Sequence, residues 1–169
     1  DWSSDVCSSD LLHPSPMKKI LAVASGGGHW VQLLRLRPAF EGHLVQYVST
    51  NADYQSDVAG RLHVVRDANM WQKWRLLQMF VQVAWILLRY RPDVVVTTGA
   101  APGFAAIVLG KLFGARTIWL DSIANSEELS GSGQHAKRWA DAWLTQWPHL
   151  ATPDGPDHWG RSEEHTSEL

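Results

Sequence analysis

The chain has 169 residues, with 15 Lys+Arg against 17 Asp+Glu, 45% hydrophobic and 19% charged residues. That is mass enough for one domain with a core. It excludes a disordered, collagen-like or disulfide-stapled chain, because the apolar content is ordinary and Cys7 is the single cysteine, so a reducing compartment is expected.

Residues 1–16 and 161–169 share neither the periodicity nor the aromatic content of the middle. The reverse complement of a possible coding sequence for residues 161–169 is contained in one for residues 1–11. No physical property of a protein produces that relation, and the string resembles a sequencing-library adapter. Residues 161–169 are therefore expected to be a non-native flank, and residues 1–16 a non-native or upstream tail, of a domain at residues 17–160. Within 17–160 stand 14 Lys+Arg and 11 Asp+Glu, a balance of +3, and no cysteine. This charge is too small for a nucleic-acid footprint and suits an anionic membrane surface.

After Lys18 and Lys19, residues 20–24 form an apolar run, followed by Ser25, Gly26, Gly27, Gly28 and His29. A helical pattern over residues 30–36 ends at Pro38, so the order is strand, glycine-rich turn, short helix. Residues 44–48 and 62–65 are further short apolar runs, and residues 93–96 a fourth, bounded by Pro92 and Gly99. Pro102 near its start and Gly114 just past its end bracket a helix over residues 101–113. Residues 117–120 and 142–145 complete the strands. Continuous rather than alternating apolar strands, separated by helices, indicate a parallel sheet covered on both faces: a doubly wound, Rossmann-like α/β domain.

The helix expected over residues 70–90 has more apolar residues than a sheet-covering face requires. At about 100° per residue, Trp71, Arg75, Gln78, Gln82, Trp85 and Arg89 fall in one stripe with Trp74 beside it. Leu76, Leu77, Met79, Phe80, Val83, Ala84, Ile86, Leu87 and Leu88 fill the rest. The run is too interrupted for a membrane span of about 20 apolar residues. Two readings stay open: a helix buried on the sheet with its Arg/Gln stripe in water, or one that leaves apolar surface for a bilayer or partner, with Trp71, Trp74, Arg75, Trp85 and Arg89 at the headgroup level.

The turn from Ser25 to His29 stands where a first strand hands over to its helix. Glycines there let backbone N–H groups approach a phosphate or diphosphate, with the helix N-terminus adding favourable potential. His29 is a candidate phosphate donor or general base. An NAD site would need G-x-G-x-x-G and an acidic end to the second strand, and both are lacking. A second turn of small and hydroxyl residues, Thr97, Thr98, Gly99, Ala100, Ala101, Pro102 and Gly103, is expected to face the first across the cleft. Asp121 and Ser122 end the fifth run at the same edge, with Asp121 a candidate base or sugar-orienting carboxylate. Asn125, Ser126, Ser130 and Gly131 form a polar loop, and Gln146 and Trp147 end the last strand. The histidines lack metal-ligand spacing, so no metal is expected.

The motifs KKILAVASGGGHW, DVVVTTGAAPG, GARTIWLDS and DAWLTQWPHLA, in this order, resemble one oligosaccharide-biosynthesis family. It includes the Alg-fourteen-like membrane-recruiting subunit of the split eukaryotic dolichol-linked N-acetylglucosaminyltransferase and bacterial PssD-like exopolysaccharide proteins. More distantly the chain resembles the N-terminal half of the MurG glycosyltransferase. The resemblance implies one half of a two-domain GT-B enzyme divided between two chains. This chain would be the acceptor half, inactive without a separate subunit that holds the UDP-sugar donor, and would bind no cofactor itself. Ser25, Gly26, Gly27, Gly28, Thr98, Gly99, Pro102 and Gly103 would then sit by the diphosphate of a lipid-linked saccharide. Asp121 falls where MurG-like enzymes have an acceptor-side glutamate.

The same resemblance implies a peripheral protein on the cytoplasmic face of a bacterial inner membrane, attached through the helix at residues 70–90. Relatives continue briefly beyond Gly160, so a C-terminal segment is expected to be missing. Two rival readings are a non-catalytic membrane scaffold for the donor subunit and a stand-alone nucleotide-binding Rossmann domain.

Overall fold

The structure, a computed structural model, describes residues 16–68 and 71–162. Most of both flanks, and Met70 at the start of the expected long helix, lie outside the described residues.

The parallel sheet comprises β1 (Lys19–Val23), β2 (Leu44–Ser49), β3 (Leu62–Val64), β4 (Val94–Thr97), β5 (Arg116–Leu120), β6 (Ala142–Thr145) and β7 (Asp157–His158). Their order is β3-β2-β1-β4-β5-β6-β7. The chain winds outward from β1 to β3, returns to the far side of β1, and winds outward again. The strand order therefore reverses between β1 and β4, where Val23 pairs with Thr97. In open α/β sheets ligands bind in the crevice outside the carboxyl ends of the strands flanking such a reversal.

Among the described residues, four α-helices cover the sheet: α1 (Gly28–Arg35), α2 (Lys73–Tyr90), α3 (Ala100–Leu112) and α4 (Gly131–Ala136). Successive strand side chains point to opposite faces, and both faces are buried. Leu21, Val23, Val95 and Trp119 pack with Met79, Val83 and Leu87 of α2, Ala106 and Ile107 of α3, and Ala136 of α4. Ile20, Ala22, Tyr47 and Val96 pack with Trp30 and Leu33 of α1 and with Phe40. This two-sided burial is why β1 reads as an unbroken apolar run rather than an alternating one.

The doubly wound α/β class expected from the sequence is the one found, with differences at three elements. A seventh strand, β7, joins the edge beside β6; its two residues, Asp157 and His158, carry no apolar signal. The polar loop ends at Ser130, which caps α4 by accepting from Gly133 N at 2.9 Å. The long helix begins at Lys73, leaving Trp71 just ahead of it.

The rotation of α2 combines the two expectations, since the helix docks on the sheet and still leaves apolar surface facing out. Met79, Val83, Ile86 and Leu87 dock on the sheet, which turns Trp74, Leu77, Val81, Trp85 and Leu88 to the outside, with Trp74 70% and Trp85 67% exposed. These five recur at helical spacing and form one apolar row. Gln78, Gln82, Arg75 and Arg89 fall along one flank of it rather than facing outward alone. No helix among the described residues is long and apolar enough to cross a membrane.

Candidate active site

A cavity of about 550 Å³ opens at the carboxyl edge beside the reversal point, between the starts of α1, α3 and α4. His29 of α1, Ala100 and Phe104 of α3, Ser122 and Asn125 of the β5–α4 loop, and Ser132 and His135 of α4 are among its walls.

The imidazole of His29 is held by the second turn. Its Nδ1 lies 2.8 Å from Thr98 O. A carbonyl oxygen only accepts, so Nδ1 carries the proton, and in the neutral ring Nε2 keeps its lone pair. Thr98 Oγ1 in turn donates to His29 O at 2.8 Å. Gly99, with φ 121°, fits against the ring: a Cβ there would stand 3.1 Å from His29 Cε1. The next residue, Ala100, is held at φ 62°, in the left-handed region that costs a non-glycine residue about 1–2 kcal/mol.

The first glycine turn is open. Gly27 and Gly28 are exposed and Ser25, Gly26 and His29 half-buried, and α1 begins at Gly28 with Gly27 as an N-cap that makes no side-chain cap. Gly27 N donates to Tyr54 Oη at 3.0 Å. Tyr54 comes from the 3-10 turn Ala52–Asp57 and stacks on Trp30 with ring centroids 4.7 Å apart. Ser25 O accepts from Ser49 Oγ at 3.1 Å, tying the turn to β2.

The other predicted residues fall in different places. Thr98 and Gly99 are buried behind His29. Pro102 and Gly103 are buried in the first turn of α3, where a Cβ on residue 103 would stand 2.1 Å from Thr97 Oγ1; glycine there lets the helix close on β4, and neither residue is among those lining the cavity. Ser122, expected at the cleft edge, is placed on the wall of the cavity. Gln146 does not reach the cleft: it is fully buried and donates through Nε2 to Asp121 O at 3.0 Å. Trp147, half-buried, donates through Nε1 to Ile123 O at 2.9 Å.

Asp121 is 2% exposed. Its Oδ2 accepts from Ser130 N at 2.9 Å and its Oδ1 from Ser130 Oγ at 2.6 Å, so both carboxylate oxygens are engaged inside the protein. His29 and Asp121 thus occupy different situations: one imidazole opens to the cavity, while the carboxylate lies behind its wall.

Two residues at this edge escaped the sequence reading. His135 sits on α4, in a stretch where only a polar loop was visible. Tyr54 is brought to the glycine turn by a 3-10 turn that carries no motif. Among the described residues, no group of three or more His, Cys, Asp or Glu side chains is placed to hold a metal ion.

No protein-family model matches the chain, and no curated protein matches it by sequence. Solved structures match it by fold. MurG of Acinetobacter baumannii aligns with a TM-score of 0.71 at 12% identity, over 85% of this chain and 45% of that one. The UDP-GlcNAc 2-epimerase of Methanocaldococcus jannaschii aligns at 0.57 and 10% identity, over 79% and 39%. A glycosyltransferase of Rickettsia africae aligns at 0.53 and 16% identity, over 73% and 34%. The chain therefore has the fold of one half of a GT-B glycosyltransferase and spans less than half the length of these proteins.

Proposed function

We propose that this chain is the acceptor-binding, membrane-recruiting half of a two-chain UDP-sugar glycosyltransferase that extends a lipid-diphosphate-linked saccharide. The observation that carries the proposal is the imidazole of His29. It stands at the point where the strand order reverses, its tautomer set by Thr98, with the ring lining the cavity and an open glycine turn beside it.

The acceptor's diphosphate takes the glycine turn, where backbone N–H groups and the start of α1 favour an anion. The sugar enters the cavity, with Phe104 as an apolar wall and Ser122, Asn125 and Ser132 as hydrogen-bonding partners. The acceptor hydroxyl attacks the anomeric carbon of the donor held by the second subunit. A new carbon–oxygen bond forms, the bond to UDP breaks, UDP leaves with the electron pair, and the hydroxyl proton passes to His29 Nε2. This chain holds no resident cofactor in the reaction.

Membrane attachment falls to the outward row of α2. Trp74, Leu77, Val81, Trp85 and Leu88 present apolar surface, flanked by Lys73, Arg75 and Arg89, and α2 carries no acidic residue. An apolar row with tryptophan and a cationic border suits the headgroup region of an anionic bilayer.

The test is transfer from a panel of UDP-sugars to a lipid-diphosphate-sugar in anionic vesicles, with the chain alone and with the subunit encoded beside it. Product is expected only with both chains. Transfer by this chain alone, or none from a folded complex across the panel, overturns the split-enzyme reading and leaves a scaffold or a nucleotide-binding domain.

A further inference from the structure

The loop from Asp121 to Ser130 forms one wall of the cavity, and side chains from two directions hold it. From the end of β6, Gln146 Nε2 donates to Asp121 O, Trp147 Nε1 donates to Ile123 O, and His149 Nε2 donates to Ser126 O at 2.6 Å. From behind the wall, the Asp121 carboxylate accepts both the N–H and the O–H of Ser130. Ser130 Oγ then accepts from Gly133 N and caps α4, the helix that brings Ser132 and His135 to the cavity. The fit is close: a Cβ on residue 133 would stand 2.9 Å from Asp121 Oδ1, so only glycine admits the carboxylate at this point.

A general base has to come within hydrogen-bond reach of the proton it takes. Asp121 is 2% exposed, both of its oxygens accept from Ser130, and Oδ1 also accepts from Asn125 Nδ2 at 3.5 Å. We propose that Asp121 is a positioning residue: through Ser130 its buried carboxylate sets where α4 begins, and with it the Ser132 and His135 side of the cavity, and it exchanges no proton with a substrate. The turnover arm of the test rests on the glycosyltransferase reading given above; the spectroscopic arm does not.

The discriminating variant is Asp121→Asn. Its side-chain oxygen can accept from Ser130 N and its amide can donate to Ser130 Oγ, which keeps both links to Ser130 with one reversed and loses only the long contact from Asn125, yet it cannot take up a proton. Asp121→Ala and Ser130→Ala each remove the link. Displacement of a catalytic wall by about 1 Å is worth up to about 100-fold in rate. In the reconstituted pair, Asp121→Asn is therefore expected to keep turnover within about threefold, while Asp121→Ala and Ser130→Ala lose about tenfold or more. In the full chain without ligand, the ring proton resonances of His135 are expected to move in Asp121→Ala and Ser130→Ala and stay in Asp121→Asn. Those of His29, anchored on Thr98, stay in all three. A purely stabilising carboxylate would lower the melting temperature without moving His135 selectively.

Turnover in Asp121→Asn as low as in Asp121→Ala, with both proteins folded, overturns the proposal in favour of a base. An unmoved His135 signal in Asp121→Ala, or in Ser130→Ala where the former does not fold, overturns it as well. Absence of transfer by the wild-type pair counts against the glycosyltransferase reading, and the His135 signals still decide the role of Asp121.

Discussion

His29 and Thr98, 69 residues apart in the chain, bind each other twice: the ring Nδ1–H donates to Thr98 O, and Thr98 Oγ1–H donates to His29 O, each at 2.8 Å. The first turn thus locks onto the second across the point where the strand order reverses, and one ring nitrogen is spent on orientation while the other is the one the proposed reaction uses. This division of labour between the two nitrogens can be separated by mutation.

In His29→Asn the shorter amide can still donate toward Thr98 O but presents nothing in place of Nε2. The fold is expected to persist, with stability changed by about 1 kcal/mol or less, the worth of one hydrogen bond. Transfer by the reconstituted pair is expected to fall about 100-fold to 10,000-fold, the range for loss of a positioned base. Transfer within about threefold of wild type would remove His29 from the chemistry.

Gly99→Ala and Gly114→Ala separate backbone strain from collision. Both positions have positive φ, 121° and 84°, but a Cβ at Gly114 meets nothing within 4 Å while one at Gly99 meets the His29 ring at 3.1 Å. Gly114→Ala is expected to cost about 1–2 kcal/mol in urea unfolding. Gly99→Ala adds displacement of the imidazole, seen as a shift of the His29 ring signals. Equal behaviour of the two variants in both measurements would mean that the imidazole gives way without consequence.

The sheet and its handover turns were legible because they rest on local signals. Residues 20–23 are all buried, so β1 is apolar after Lys19, and the glycines that follow stand where a strand meets a helix. The rotation of α2 was not legible, because many of its side chains are apolar and only the docking of Met79, Val83, Ile86 and Leu87 decides which of the others face out. The same holds for Asp121. Its place at a strand end is readable, but its partner Ser130 is nine residues on, and burial of the pair is a tertiary event. Gly103 and Gln146 look like cleft residues by position along their strands and turns. Packing against Thr97 and a bond to the Asp121 backbone take both inside.

On α2, Trp74→Glu and Trp85→Glu place charge in the outward row. Both residues are about two-thirds exposed or more, so unfolding stability is expected to change by no more than about 0.5 kcal/mol. Co-sedimentation with vesicles containing anionic lipid is expected to weaken about tenfold for each, since a buried aromatic side chain is worth more than about 1.4 kcal/mol. Added salt should weaken wild-type binding further by screening Lys73, Arg75 and Arg89. Unchanged sedimentation of both variants would assign the row to some other contact.

Asp141 makes stability depend on pH in a defined direction. Partial burial pushes its carboxyl up, but the Lys111 ammonium and the N–H and hydroxyl of Thr117, all hydrogen-bonded to it, outweigh that and hold it below the ordinary value. A carboxyl lowered in the folded state binds its proton more weakly there than in the unfolded chain. Its contribution is therefore complete above the ordinary carboxylate range near about 4 and is lost as pH falls through the lower folded value. Asp141→Asn should melt below wild type at neutral pH, and the gap should close on acidification below about pH 4. The side chain is 30% exposed, so added salt should narrow the gap as well. A gap that stays constant from neutral pH into the acid range would show that Asp141 supports the β5–β6 edge by shape and hydrogen bonding alone, with no part played by its charge.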